Sequence, residues 1–153
     1  MVSATPLIRL QSNMHWKVIS MPILHNFLTE NGFNYMFFNS YIYKPYLKKL
    51  DRYALYDEKN DKIMGAVMIE SIISNQNKDK NVIHFAFLPE IRGKIVKEMC
   101  EKWLSLYLTT YKVLEGHVPK KWPQAIRFAK WFEWKKIEET PDYLIVEVRN
   151  NDE

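Results

Sequence analysis

Residues 87–98 read FLPEIRGKIVKE. An apolar run ends at Pro89, an acid follows, and Gly93 stands between Arg92 and Lys94 just before a helical pattern opens. The chain has only four glycines, so one placed at a strand-to-helix join needs a reason. Two readings fit. In one, Gly93 supplies a permissive backbone for a β-to-α turn and the flanking cations are solvated. In the other, the backbone N–H groups that open the helix cradle a phosphate-like anion, and the cations add positive potential. The RGK triplet by itself does not separate them.

Downstream of the join, Ile95/Val96, Met99/Cys100, Trp103/Leu104 and Tyr107/Leu108 form an apolar stripe at helical spacing, while Lys97, Glu98, Glu101, Lys102 and Ser105 fill the other face. Cys100 falls on the stripe, where a packed thiol is expected rather than a nucleophile. Upstream, Val82–Leu88 reads as a strand, preceded by a polar loop at Ser74–Lys80. Before that loop, Tyr53–Asp57 and Lys62–Ile72 read as a hairpin closed by the turn-rich Glu58–Asp61.

The N-terminal third is expected to hold a strand at Leu7–Gln11 and a helical region from Asn13, with Trp16, Ile19, Ile23, Leu24 and Phe27 inward. Pro22 implies a kink or two helices in that region, and Asn31-Gly32 its stop. The aromatic stretch Tyr35–Leu50 is read as a short helix broken near Pro45. Beyond the central helix, Tyr111–Val118 is expected as a strand. Pro123 should open a helix carrying Ile126, Ala129 and Phe132 inward, and Lys135–Val148 should form two strands around Thr140-Pro141-Asp142. This order, with antiparallel runs inside an otherwise mixed succession, points to an α/β (α+β) fold with a mixed sheet flanked by helices.

Composition bounds the function. At 153 residues, with 47% apolar and 14% aromatic residues, one domain spanning 1–153 is expected. The net charge of +4 permits an anionic partner without requiring one. No stretch approaches the roughly 18 uninterrupted apolar residues of a membrane span, and the N-terminus lacks a signal-peptide pattern. A soluble, cytoplasmic protein is therefore the expectation. One cysteine excludes an internal disulfide and a cysteine metal cage. His15 and His25 do not form a metal pair. Aromatic and basic residues interleave in KPYLKKLDRYALY, a pattern compatible with nucleic-acid contact but more simply read as a solvated helix face.

The order of elements, with Pro89-Glu90-Ile91-Arg92-Gly93-Lys94 at its centre, resembles the GNAT N-acyltransferase superfamily over nearly the whole chain. The resemblance implies a mostly antiparallel sheet flanked by helices. It also implies a loop of the form Arg or Gln, two residues, Gly, one residue, Gly or Ala, whose amides bind the pyrophosphate of acetyl-CoA. Carried over by position, the cosubstrate would meet Arg92, Gly93, Lys94, Ile95 and Val96, while the exposed edge of the fourth strand, Phe85 to Leu88 with Phe87 and Leu88 at its end, would pair with the pantetheine arm. Ile95 and Lys97 depart from the loop pattern, standing where small residues are expected.

The block VPKKWPQAIRFAKWFEWKKIEE resembles the family's fifth strand and last helix. Trp122 stands at a common asparagine position, Ala129 at that of the tyrosine that often acts as general acid, and Glu133-Trp134 replaces Gly-Phe. For a base, His84 on the fourth strand is the first candidate and Glu70 the second. As donors, Tyr143, Tyr107, Tyr111 and His117 stay open. The implied activity is acetyl transfer from acetyl-CoA to an amine of a protein or small molecule. The alternative is a fold-retaining binding or structural protein without catalysis, since VIHFAFLPEIRGK is also similar to small GNAT-like proteins of tailed bacteriophages, some of them virion components.

Overall fold

The hairpin predicted around Glu58–Asp61 forms because Asp57 organises its turn. The Asp57 carboxylate is buried and accepts bonds from the backbone N–H groups of Lys59 (3.1 Å) and Asn60 (3.4 Å) and from Asn60 Nδ2 (2.7 Å). The flanking strands are β2 (Leu47–Asp57) and β3 (Lys62–Ile73), paired antiparallel. The computed structural model describes residues 13–33, 47–73, 79–91, 93–132 and 134–150, without the side chains of 47, 48, 73, 79 and 124. The expected strand Leu7–Gln11 and most of the aromatic stretch 35–50 lie outside these residues. Within that stretch, Leu47–Leu50 belong to β2 and not to a helix.

Before the hairpin come β1 (Met14–Val18) and helix α1 (Met21–Glu30). The expected helix from Asn13 therefore starts only at Met21 in this structure, because Met14–Val18 adds to the sheet edge against β2. Burial alternates there, with Met14 and Trp16 inside and Val18 70% exposed. That short, half-wet alternation mimics helical spacing when Trp16 is counted with Ile19. Trp16 Nε1 donates to the Met99 carbonyl at 2.9 Å, tying β1 to the central helix. Pro22 sits in the first turn of α1, where its missing N–H costs nothing, so no kink is needed. Asn31 and Gly32 (φ 78°) end the helix as expected.

β4 (Asp79–Phe87) pairs antiparallel with β3 and leads through a 3₁₀ turn at Pro89–Ile91 into α2 (Lys94–Tyr111). The α2 stripe is as predicted: Ile95, Val96, Met99, Cys100 and Trp103 are buried. Burial pushes the Cys100 thiol well above the ordinary cysteine range, so it is a packed, unreactive group. Then follow β5 (Val113–Pro119), α3 (Pro123–Trp131), β6 (Lys135–Glu139) and β7 (Tyr143–Arg149). α3 packs on the core through Phe128 and Phe132, whereas Ile126 is only half-buried and outside it.

The sheet order is β1-β2-β3-β4-β5-β7-β6, and every neighbouring pair is antiparallel except β4 and β5, which run parallel. Met64–Glu70 of β3 are buried without interruption, so both faces of the sheet are covered at its centre. Residues opposite one another in a ladder share a face. One face therefore carries Tyr53, Val67 and Phe85, the other Met68, Glu70, Val82 and His84. Tyr53 packs on Trp103 of α2 and Phe85 on Phe128 of α3, which puts both helices on the first face. The aromatic-basic interleaving of KPYLKKLDRYALY is thus, over its described part, the two faces of a strand: Tyr53 is buried and Arg52 bonds the Ile19 and Leu50 carbonyls. Among the described residues, no helix is long and apolar enough to cross a membrane.

Candidate functional site

β4 and β5 are paired at one position only, Val82 opposite Glu115. Beyond it the strands part towards their C-terminal ends and open a cleft of 1370 Å³. The edge of β4 that turns away from β3 has no strand partner past Val82 among the described residues, so its backbone groups are open to an extended ligand. β4 contributes Ile83 to Phe87 to the wall and β5 contributes Gly116 to Pro119. Gly93 and Val96, at the start of α2, line the same cleft.

The first backbone bond into α2 runs from the Lys97 N–H to the Gly93 carbonyl (3.2 Å). The N–H groups of Lys94, Ile95 and Val96 therefore have no acceptor within the helix, and the helix dipole adds positive potential there. Gly93 has φ 77° and ψ −132°, with nothing within 4 Å of a Cβ built on it, so the rim at this point is open. Lys94 is exposed. Ile95 is 7% exposed and belongs to the core, and Lys97 reaches over the Trp131 ring, its Nζ 5.7 Å from the centroid. Neither departure from the small-residue pattern fills the rim. Of the other positions predicted for the cosubstrate, Phe87 lines the cleft, while Leu88 is buried and its N–H bonds the Met64 carbonyl. Arg92 lies outside the described residues.

The two candidate bases turn out to be one unit. Glu70 on β3 and His84 on β4 are diagonal neighbours on one sheet face, and His84 Nε2 hydrogen-bonds Glu70 Oε1. Glu70 is 1% exposed, and His84 reaches the cleft. A buried carboxylate so placed fixes the imidazole's orientation. Of the four candidate donors, His117 and Tyr143 line the cleft. Tyr107 packs on Tyr53 and Trp103, and Tyr111, the last residue of α2, donates to Asp51 of β2 at 2.6 Å; neither lines the cleft. Ala129 lines the cleft and offers no hydroxyl.

Sequence reasoning missed Trp134, Phe128 and Phe33 as parts of the wall. Trp134 lies over Gly116, where an added Cβ would meet its Cζ3 at 2.9 Å. Phe85 packs edge-on to it at 6.4 Å between centroids. The signal was a glycine inside a strand, which marks close approach of a neighbour. Three or more His, Cys, Asp or Glu side chains nowhere converge on a metal-sized site among the described residues.

A single paired position between parallel strands, with a helix N-terminus at the mouth of the gap, is the feature that decides the architecture. No protein-family model and no curated protein sequence matches the chain. Solved structures do match. The fold is the GNAT fold. The crystal structure of the N-acetyltransferase PseH of Campylobacter jejuni covers 91% of this chain and 99% of its own, with a TM-score of 0.58 at 11% identity. The same enzyme in complex with acetyl coenzyme A covers 90% of this chain and 99% of its own, with a TM-score of 0.57 at 12% identity. The spermidine N-acetyltransferase of Vibrio cholerae, in complex with CoA and spermine, covers 90% and 96%, with a TM-score of 0.60 at 14% identity. At such identities the GNAT fold is what is shared, and the chemistry must be argued from this chain's own cleft.

Proposed function

We propose that this chain is, over residues 1–153, one GNAT-type N-acetyltransferase domain that moves an acetyl group from acetyl-CoA to an amine. The observation that carries the reading is the convergence, on one cleft, of the unpaired β4 edge, the α2 N-terminus and the His84–Glu70 pair. Acetyl-CoA supplies an activated thioester. The amides of Lys94 to Val96, with Lys94 and Arg92, hold its pyrophosphate. The β4 edge, through Phe85 to Phe87, lines up the pantetheine arm, and the aromatic wall of Phe85, Phe128 and Trp134 keeps water from the thioester. The imidazole of His84 takes the proton of the attacking amine, and Glu70 holds the ring in place.

The class of the acceptor amine, a small molecule or a protein side chain, follows from an acceptor screen. Calorimetry with acetyl-CoA and thiol-release kinetics across amines test the whole reading. Binding together with amine-dependent thiol release is expected, and absence of heat at millimolar acetyl-CoA refutes it. One observation favours a second reading: Ala129 leaves the cleft without the tyrosine of the family it resembles. A fold-retaining binding protein would hold CoA and release no thiol with any amine. Neither the cleft nor the matched enzymes support a virion component.

A further inference from the structure

Val82 and Glu115 stand opposite one another, so their side chains share a sheet face. Two residues further along each strand, at the start of the splay, His84 and His117 share that face too, and both line the cleft. Each imidazole holds a carboxylate through Nε2: His84 that of Glu70, His117 that of Glu115 at 3.0 Å. The splay is thus flanked by two histidine–carboxylate pairs, one on each strand. Building on the acetyl-transfer reading, we propose that His117, backed by Glu115, is the proton donor to the departing thiolate, replacing the hydroxyl that Ala129 lacks.

The balance closes. The C–S bond of the thioester breaks and a C–N bond forms. The amine's proton goes to the His84 imidazole, while the His117 imidazolium gives its proton to the sulfur, leaving an amide and a free thiol. His84 then releases a proton to water and His117 takes one up. Several groups face His117. Glu115 lies on its own strand and also receives Lys80 of β4 at 3.5 Å. Tyr143 of β7 is 6.5 Å away between ring centroids, and Glu147 of β7, opposite Glu115 in the ladder, is held by Arg149. Glu138 of β6 lies in the same row, opposite Ile145. His84 with Glu70 stands across the splay. Glu115 is the carboxylate in direct contact with the His117 ring.

The test compares His117→Gln and Tyr143→Phe with the wild type, reading acetyl-CoA affinity by calorimetry and kcat/KM against pH by thiol release. His117→Gln should keep its affinity within about twofold, lose about 10²-fold in kcat, and lose the limb on which activity falls as pH rises. Tyr143→Phe should keep that limb. A His117→Gln enzyme with wild-type kcat and both limbs overturns the proposal, as does loss of the limb in Tyr143→Phe. If the wild type binds no acetyl-CoA, the acetyl-transfer reading itself fails, an outcome distinct from transfer that ignores His117.

Discussion

Replacing Gly93 by alanine isolates one physical term. Its backbone, at φ 77° and ψ −132°, lies in a region that L side chains rarely adopt, and nothing stands within 4 Å of an added Cβ. Crowding is therefore absent, and the whole cost comes from the dihedral angles. Strain of this kind is about 1–3 kcal/mol per residue. In a domain of this size each kcal/mol moves the thermal midpoint by about 2–4 °C, so Gly93→Ala should lower it by about 2–12 °C. The mirror image of the Gly93 conformation, near φ −77° and ψ 132°, is ordinary extended backbone for an L-residue. A D-alanine placed at 93 by semisynthesis should accordingly fold with wild-type stability. Urea and thermal denaturation of both variants measure the difference. Equal destabilisation by L- and D-alanine would refute the reasoning, since it would mean that steric contact at the rim, and not backbone handedness, selects glycine. If L-alanine is tolerated without loss, the join does not hold this conformation in solution.

Other consequences follow from the same geometry. His84→Ala should reduce kcat by about 10²–10⁴ while leaving acetyl-CoA affinity in place, and an unchanged rate removes His84 as the base. Gly116→Ala drives a methyl against Trp134 (2.9 Å) and Val146 (3.3 Å); overpacking should cost about 1–3 kcal/mol. It should also narrow the cleft, weakening acetyl-CoA in calorimetry, and unaltered stability would show that Trp134 is not seated on β5. Burial, then the hydrogen bonds to Asp51 and Tyr53, push the Tyr111 phenol far above the ordinary tyrosine range. The folded chain therefore keeps a proton that the unfolded chain sheds near pH 10. That contribution is complete below about pH 10 and declines as pH climbs towards the folded value. Tyr111→Phe should flatten the alkaline loss of urea stability, and an unchanged slope would contradict the pairing.

Much of the architecture was legible because local periodicity and tertiary demand agree in it. The α2 stripe from Ile95 to Leu108 is long enough to show its period, and Asp57 with Asn60 and Asp61 marks the hairpin turn through side-chain chemistry that acts within a few residues. Met14–Val18 was misread because an edge strand that buries only Met14 and Trp16 offers too few positions to distinguish a period of two from one of three or four. The site was legible as a set of candidates and not as an arrangement. His84 and Glu70 stand fourteen residues apart in the chain, and only the β3–β4 register brings them into one pair.

By itself the sequence determined the order of elements from the Glu58–Asp61 hairpin onward, the glycine at the strand-to-helix join and the residue types available for proton transfer, since these depend on local spacing and side-chain chemistry. The tertiary structure alone decided that β4 and β5 part after a single pair, that the rim at Gly93 stands open, and that His84 and His117 meet the same cleft. The physical reason is that a parallel pairing between strands separated by an eighteen-residue helix is set by packing across both faces of the sheet, and no local pattern encodes where that pairing stops.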